Sequence, residues 1–105
     1  ETAEHHRRFV VELVKQAVQL FKISGRTSQA NSLTKECAEK LEEDYNFEEA
    51  REMFKQAAEG YELEGQTAFM NSTLTKWADL SIIMGDFENI REVIRTYEKV
   101  GNKYL

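Results

Sequence analysis

The sequence repeats itself at an offset of 40 residues. The recurring residues are Gly25 and Gly65, Thr27 and Thr67, Asn31 and Asn71, Ser32 and Ser72, Ala38 and Ala78, Phe47 and Phe87, Glu48 and Glu88, Arg51 and Arg91, and Glu52 and Glu92. A fixed period of this size is typical of helical solenoids, in which a helix pair cannot bury its apolar face alone and stacks on its neighbours. We therefore expect the second helix of one repeat, followed by two full repeats.

Apolar residues spaced three to four positions apart predict five helices, the first from about Ala3 to Ile23. The five apolar stripes comprise Phe9, Leu13, Ala17, Leu20 and Phe21; Ala30, Leu33, Cys37, Leu41 and Tyr45; Phe47, Ala50, Phe54, Ala57 and Tyr61; Met70, Leu74, Trp77 and Ala78; and Phe87, Ile90, Ile94 and Tyr97. Short connections predict that successive helices are antiparallel neighbours. Met70 and Trp77 are expected in the core.

Short turns are predicted between the helices. Gly25 and Gly65 suit left-handed C-terminal caps, and Thr27 or Ser28 is expected to cap the helix that follows. Residues Asp44–Asn46 interrupt the second stripe with turn-favouring side chains. Strands are not predicted, because the sequence has no Asn-Gly or Asp-Gly hairpin turn and no sustained alternation of β-branched residues.

The absence of proline narrows the fold class further. Tetratricopeptide repeats (TPR) are about 34 residues long and have a proline near their end. The longer, proline-free unit found here predicts a related fold with lengthened helices. We expect an all-α, right-handed TPR-like superhelix of antiparallel helix pairs that forms one domain over residues 1–105. Because the chain starts with Glu1 and not with Met, we expect it to be a fragment of a longer solenoid.

Charge and composition argue against several functions. The net charge of −5 and pI near 5.1 disfavour nucleic-acid binding, which depends on basic side chains that neutralise phosphates. No apolar run approaches the roughly 18 to 20 residues that span a bilayer, so membrane contact is expected only through partners or segments outside this chain. One cysteine cannot form an internal disulfide, and no signal peptide is visible, so a cytoplasmic location is expected. Residues 28–65 contain four basic and eleven acidic side chains, which we interpret as a solvated outer face.

No catalytic, cofactor or metal site is predicted. Adjacent His5 and His6 point to different sides of a helix and make a poor chelate. A calcium loop that begins at Asp44 would need glycine at its sixth position, where the chain has Glu49. Cys37 lies in an apolar stripe with no activating His or Asp nearby in sequence, so we expect an inert buried thiol. Because phosphate-binding loops and nucleophile elbows are also absent, we do not expect an enzyme.

Several segments, taken in order, resemble the soluble NSF attachment proteins, the α type more than the γ type. They are AVQLFKISGRTSQA, AEKLEEDY, NFEEAREMFKQAAEG, NSTLTKWA and GDFENIREVIRTYEKVG. The resemblance covers most of this chain but only the middle of a family member. It implies a twisted sheet of antiparallel helices that grips a four-helix SNARE complex (syntaxin-like) on its concave face. It further implies an adaptor that presents this complex to the NSF-type AAA ATPase for disassembly in vesicle trafficking, peripheral to membranes.

The resemblance also implies where the partner is contacted. In the family, basic residues at the repeat turns and early in the following helix contact the acidic bundle. Arg26 matches one of these, Lys76 matches a family lysine one helical turn further on, and Lys35 is close to the equivalent place in the preceding repeat. Two further family features, an N-terminal membrane-touching loop and a C-terminal NSF-stimulating end, lie outside this chain.

Two positions differ from the family pattern. The residues after Asn31 and Asn71 are lysines in familiar α-type members, but they are Ser32 and Ser72 here. The loss of these charges implies weaker electrostatic attraction to an acidic partner. Asn31 and Asn71 themselves have two interpretations, local capping or an inter-helix bond on one side and a place on the concave face on the other.

A second functional hypothesis needs no SNARE partner. A generic TPR-like scaffold could bind an extended peptide or a helical partner with a clamp of Asn and Lys side chains. Its clamp would comprise Asn31, Lys35, Asn71 and Lys76. The two hypotheses differ in the shape of the ligand, a bundle in the first and a single segment in the second.

Overall fold

The chain forms consecutive antiparallel α-helices. In a computed structural model that describes residues 2–88, 91–92 and 94–95, the helices are α1 (Thr2–Ile23), α2 (Thr27–Glu43), α3 (Phe47–Leu63) and α4 (Thr67–Ile83). Each helix packs on the next in the chain, and the array measures 47 × 36 × 17 Å between Cα atoms. No strand occurs among these residues. The predicted all-α, TPR-like fold of helical hairpins is therefore confirmed.

The described part of the predicted fifth helix is also helical. Residues 87–88, 91–92 and 94–95 have helical backbone. Of its predicted apolar stripe, Phe87 and Ile94 are exposed, whereas Ile90 and Tyr97 lie outside the described residues.

The turns repeat every 20 residues, which is half the sequence period. The residue with a left-handed backbone is Gly25, Tyr45, Gly65 and Gly85 in turn, with φ of 79°, 61°, 72° and 73°. In each turn, the amide of the next residue donates to the carbonyl five positions earlier at 2.7–2.9 Å. The amide of the left-handed residue itself donates three positions back at 3.0–3.1 Å. These paired bonds form a Schellman motif, and they confirm the caps predicted at Gly25 and Gly65.

The predicted N-terminal caps are wrong. The N-cap residues are Arg26, Asn46 and Gln66, and none of them makes a side-chain cap hydrogen bond. The Schellman turn is the reason, because the next helix begins two residues after the left-handed residue. Thr27 is therefore already helical, and Ser28 lies in the first turn of α2. Their hydroxyl groups donate instead to the carboxylate of Glu64 on the next helix junction.

The core lies between the helices and forms two clusters. The larger comprises Val11, Ala38, Leu41, Ala50, Met53, Phe54, Trp77 and Leu80, and the smaller comprises Ala57, Ala58, Tyr61, Met70 and Leu74. The predicted core positions of Trp77 and Met70 are confirmed by exposures of 5% and 4%. Small residues at the contacts, such as Ala38 and Ala50, let neighbouring helix backbones approach closely.

The predicted stripe of α1 is wrong as a guide to the core, because none of its residues is buried and only Ala17 and Phe21 are half-buried. Val11 and Val18 are the buried residues of this helix, whereas Phe9, Leu13 and Leu20 are 61%, 48% and 67% exposed. A helix in such an array has two flanks, and the contacts of α1 are with α2. The apolar surface of α1 is wider than one neighbour covers, so the apolar spacing alone did not identify the covered flank.

We expect Tyr45→Gly to raise the free energy of unfolding by about 0.5–1 kcal/mol. A non-glycine residue in the left-handed region costs about 1–2 kcal/mol, and glycine avoids this cost. Part of the gain is offset because glycine loses more conformational entropy on folding. The Tyr45 side chain is 81% exposed, so the packing lost is its edge contact with the Phe47 ring, whose centre lies 6.0 Å away. Urea denaturation would measure the change. As the matched control, Gly25→Ala should destabilise, and equal signs for the two variants would contradict the explanation.

Candidate functional site

Two inter-helix contacts define a face formed by α2 and α4, here called the α2/α4 face. The ammonium group of Lys76 lies 3.3 Å from Oε1 of Glu42, and that of Lys35 lies 5.9 Å from the centre of the Phe69 ring. Both contacts join α2 to α4 across the intervening α3. A slab with α2 and α4 side by side on one surface is the geometry that a repeated helix pair produces.

The α2/α4 face brings together four of the predicted partner-binding residues. Lys35 and Lys76 take part in the contacts that define it. Ser32 and Ser72 are exposed, and each lies about one helical turn before one of these lysines, which places it on the same side of its helix. Arg26 is exposed in the turn that leads into α2. These positions are therefore close enough together to contact one partner.

Asn31 does not belong to this exposed set. It is 5% exposed, and its side-chain amide donates to Oε1 of Glu64 at 3.0 Å. A Cβ placed on Gly60 would lie 1.9 Å from Oδ1 of Asn31, so the Asn31 amide occupies the space that the missing side chain leaves. The inter-helix bond that was one interpretation of Asn31 is confirmed.

Asn71, the repeat equivalent of Asn31, is half-buried. Its Oδ1 is enclosed and has no hydrogen-bond partner among the described residues. The positions 40 residues after Gly60 and Glu64 are Val100 and Tyr104, which lie outside the described residues. The two asparagines therefore share a sequence position without sharing the Glu64 contact.

Sequence reasoning missed Glu64, the centre of the polar contact between α2 and α3. Besides the Asn31 amide, its carboxylate accepts a hydrogen bond from the hydroxyl of Thr27 and a longer one, at 3.3 Å, from that of Ser28. The three donors precede Glu64 by 33 to 37 residues. No local sequence pattern connects residues this far apart. The 40-residue repeat did single out two of the donors, Thr27 and Asn31.

The α2/α4 face is acidic towards the C-terminal ends of its helices. Glu36, Glu43 and Asp79 are exposed and Glu39 is half-buried. The charge of Lys76 is opposed locally by Glu42. A face of this composition does not attract an acidic partner uniformly, because these carboxylates offset the charge of the lysines near them.

An aromatic pair lies beneath the face. Tyr61 of α3 stacks on Phe69 of α4 with ring centres 5.3 Å apart, and Phe69 is 52% exposed. Burial raises the pKa of the Tyr61 hydroxyl above its usual range; a hydrogen bond with the Ser32 side chain acts in the opposite direction, and nearby glutamates add a smaller upward shift. Tyr61 is therefore held neutral below the α2/α4 face.

We expect Tyr61→Phe to lessen the loss of stability at alkaline pH. Since folding raises the pKa of Tyr61, the folded protein holds this proton more tightly than the unfolded chain. The resulting stabilisation is complete below the unfolded pKa of about 10 and is lost as the pH rises through the folded value. Urea midpoints between pH 8 and 11 would measure it, and the variant should show the shallower decline. Parallel declines in the two proteins would contradict this linkage.

Cys37 is half-buried, not fully buried as predicted. Burial raises the pKa of its thiol, and the charge of Glu49 raises it further, while Lys15 acts in the opposite direction. A thiol with a raised pKa is largely protonated at neutral pH and is a weak nucleophile. The expected inert character of this cysteine agrees with its surroundings.

The described residues contain neither a metal-ligand cluster nor a membrane-spanning helix. Within this part of the chain, no three His, Cys, Asp or Glu side chains are grouped to hold a metal ion. The described helices also include none that is long and apolar enough to cross a membrane.

Comparison with known proteins gave one family match. The family model of the soluble NSF attachment proteins (SNAP) matches residues 3–105. Searches of curated proteins and of solved structures gave no significant match. The match extends over nearly all of the chain, including every helix described above.

Proposed function

The chain belongs to the soluble NSF attachment protein (SNAP) family, and we propose that it acts as an adaptor that binds a SNARE complex on its α2/α4 face. The family match over residues 3–105 is the observation on which the proposal rests. At the level of the family, the role is that of an adaptor between SNARE proteins and the NSF ATPase. We further propose that this chain is one part of a longer solenoid and that it acts in the cytoplasm, peripheral to membranes.

The arrangement of α2 and α4 supports this choice of surface. The two helices run in the same direction, because the antiparallel α3 separates them in the chain. Their 17-residue lengths correspond to about 25 Å each, which is long enough to lie against several helices of a bundle. Exposed Arg26, Ser32 and Ser72 would then contact the bundle directly, with Lys35 and Lys76 beside them.

The peptide-clamp hypothesis receives less support from the contacts. A clamp needs free amide groups, but the side chain of Asn31 is buried and bonded to Glu64. A buried and satisfied amide gains little by rebonding to a peptide. We therefore retain the single-segment ligand only as an outcome of the binding test.

The test compares an assembled SNARE four-helix bundle with its isolated helices as ligands. The proposal expects the bundle to bind more tightly than any single helix, because only the bundle can span α2 and α4 together. Fluorescence anisotropy with a labelled ligand would measure both affinities. Equal affinity for both ligands, or for neither, would overturn the proposal, and preference for a single segment would favour the peptide scaffold.

We expect charge reversal of Arg26→Glu with Lys76→Glu to weaken bundle binding by about tenfold. Each exposed charge contributes up to about 1 kcal/mol, and about 1.4 kcal/mol corresponds to tenfold. The slope of affinity against salt concentration should also decrease. The matched control is Lys15→Glu with Lys22→Glu on α1, outside the α2/α4 face. A salt slope that is unchanged in the first variant would count against an electrostatic contact here.

A further inference from the structure

The first turn of α2 has no cap of its own. Arg26 is its N-cap residue and makes no side-chain cap hydrogen bond, and no acidic residue lies in the first turn. The orphan amides at a helix N-terminus leave a partial positive charge that an anion stabilises. A carboxylate from outside α2 would therefore stabilise this turn.

Glu64 supplies it from the end of the neighbouring helix. This residue is the C-cap of α3, and both of its carboxylate oxygens are occupied by α2. Oε1 accepts from Asn31 at 3.0 Å, while Oε2 accepts from the hydroxyls of Thr27 and Ser28. The bonds extend over the first five residues of α2 and bind them to the turn between α3 and α4.

Gly60 makes this arrangement possible. It lies one helical turn before Glu64 on α3, and the Asn31 side chain fills the space beside it. At the equivalent position of α1 the chain has Leu20, whose side chain would exclude such an amide. Glycine at position 60 therefore lets α2 and α3 approach closely at this point.

We propose that Glu64 is a positioning residue for partner binding, which fixes the first turn of α2 and thereby holds Arg26 at the edge of the α2/α4 face. Arg26 immediately precedes the two hydroxyl donors, and its carbonyl accepts from the amide of Ala30 at 3.1 Å. Fraying of this turn would release the backbone that carries the Arg26 side chain. This inference rests on the proposed function, because it assigns Arg26 a place in the contact with the bundle.

The test is a double-mutant cycle with Arg26→Ala and Glu64→Ala, measured as affinity for the assembled SNARE bundle. If Glu64 acts by positioning Arg26, each single variant should bind about fivefold more weakly, and the double variant no more weakly than either one. Multiplication of the two effects in the double variant would overturn the positioning role, as would an unchanged affinity of Glu64→Ala. A purely structural role would not couple the two sites.

Two control variants separate charge and folding from position. Glu64→Gln keeps an acceptor oxygen for Asn31 but removes the charge at the α2 N-terminus, so its affinity should lie between those of Glu64→Ala and the wild-type protein. Glu62→Ala removes an exposed charge from the same helical turn of α3 and should bind like the wild-type protein. Thermal unfolding would confirm that each variant is folded at the assay temperature.

Amide hydrogen exchange tests the anchoring without any partner. In Glu64→Ala, the amides of Ala30 and Asn31 should exchange at least tenfold faster than in the wild-type protein, while those of α4 should be unchanged. Ala30 donates the first helical hydrogen bond of α2, to the carbonyl of Arg26, whereas the amides before it have no helical acceptor. Unchanged exchange at Ala30 and Asn31 would overturn the anchoring. If the wild-type protein binds no SNARE bundle, the proposed function is wrong, and so is the proposed role of Glu64 in binding. The exchange result would in that case still show that Glu64 anchors the first turn of α2.

Discussion

Replacement of Phe54 by alanine is expected to lower the free energy of unfolding by about 3–5 kcal/mol, the range found for large aromatic residues removed from cores. The Phe54 ring is fully buried and belongs to the larger core cluster. That cluster includes Val11 of α1, Leu41 of α2 and Leu80 of α4. One side chain therefore contributes to a core shared by all four described helices, and its loss leaves a cavity at their common centre.

Urea denaturation would measure this effect. A loss of this size is a large fraction of the 5–15 kcal/mol that stabilises typical domains, so the variant should be partly unfolded at 37 °C. The matched control is Phe9→Ala, because Phe9 is 61% exposed and its loss should cost less than about 1 kcal/mol. Similar losses for Phe54 and Phe9 would contradict the placement of the core.

The effect of Gly60→Ala on the free energy of unfolding is expected to change sign according to the residue at position 31. In the wild-type background the new Cβ would lie 1.9 Å from Oδ1 of Asn31, so the amide must move and its bond to Glu64 is lost. We expect a destabilisation of about 1–3 kcal/mol. In an Asn31→Ala background the space is free, and alanine should stabilise α3 by about 0.5–1 kcal/mol, since glycine is a poor helix former.

The four proteins of this cycle differ only at Gly60 and Asn31, and their unfolding free energies give the coupling directly. A Gly60→Leu variant extends the series, because leucine occupies the equivalent position in α1. In the wild-type background it should destabilise by more than alanine does, because its side chain is larger. If Gly60→Ala has the same effect whether Asn31 is present or not, the close approach of α2 to α3 at this point is wrong.

The sequence predicted features that depend on neighbouring residues. The turn glycines repeat because a left-handed residue is needed every 20 positions, and that requirement is visible in Gly25 and Gly65. Tyr45 occupies the same place without glycine, yet the polar residues around it still indicated a turn. Helix positions followed from the apolar spacing for the same reason, since three- and four-residue intervals are local.

Features that depend on distant residues were not predictable. The donors to Glu64 lie more than 30 residues away in sequence, and nothing near Glu64 distinguishes it from the other glutamates of the acidic block. The ion pair of Lys76 with Glu42 was not predictable for the same reason, because 34 positions separate the two residues in sequence. Which flank of α1 is covered also depends on the helix that packs against it. The apolar spacing of α1 therefore predicted that it is a helix but not which of its sides faces α2.

The ion pair between Lys76 and Glu42 bears on how a partner would bind. Lys76 resembles a family contact residue, but in this structure it is already balanced by a carboxylate from α2. An acidic partner must therefore compete with Glu42 for the same ammonium group. Among the described residues, neither Arg26 nor Lys35 forms an ion pair, so these two are the basic residues of the proposed contact that need not exchange a carboxylate partner.

The most direct test of the central claim is to map amide NMR shifts while an assembled SNARE bundle is added. Binding on the α2/α4 face predicts the largest changes at Arg26, Ser32, Ser72 and their neighbours, with little change along the exposed glutamates of α3. Shifts concentrated at Glu52 and Glu59 of α3, or no shifts at a saturating bundle concentration, would contradict the claim that this chain is an adaptor binding SNARE complexes on that face.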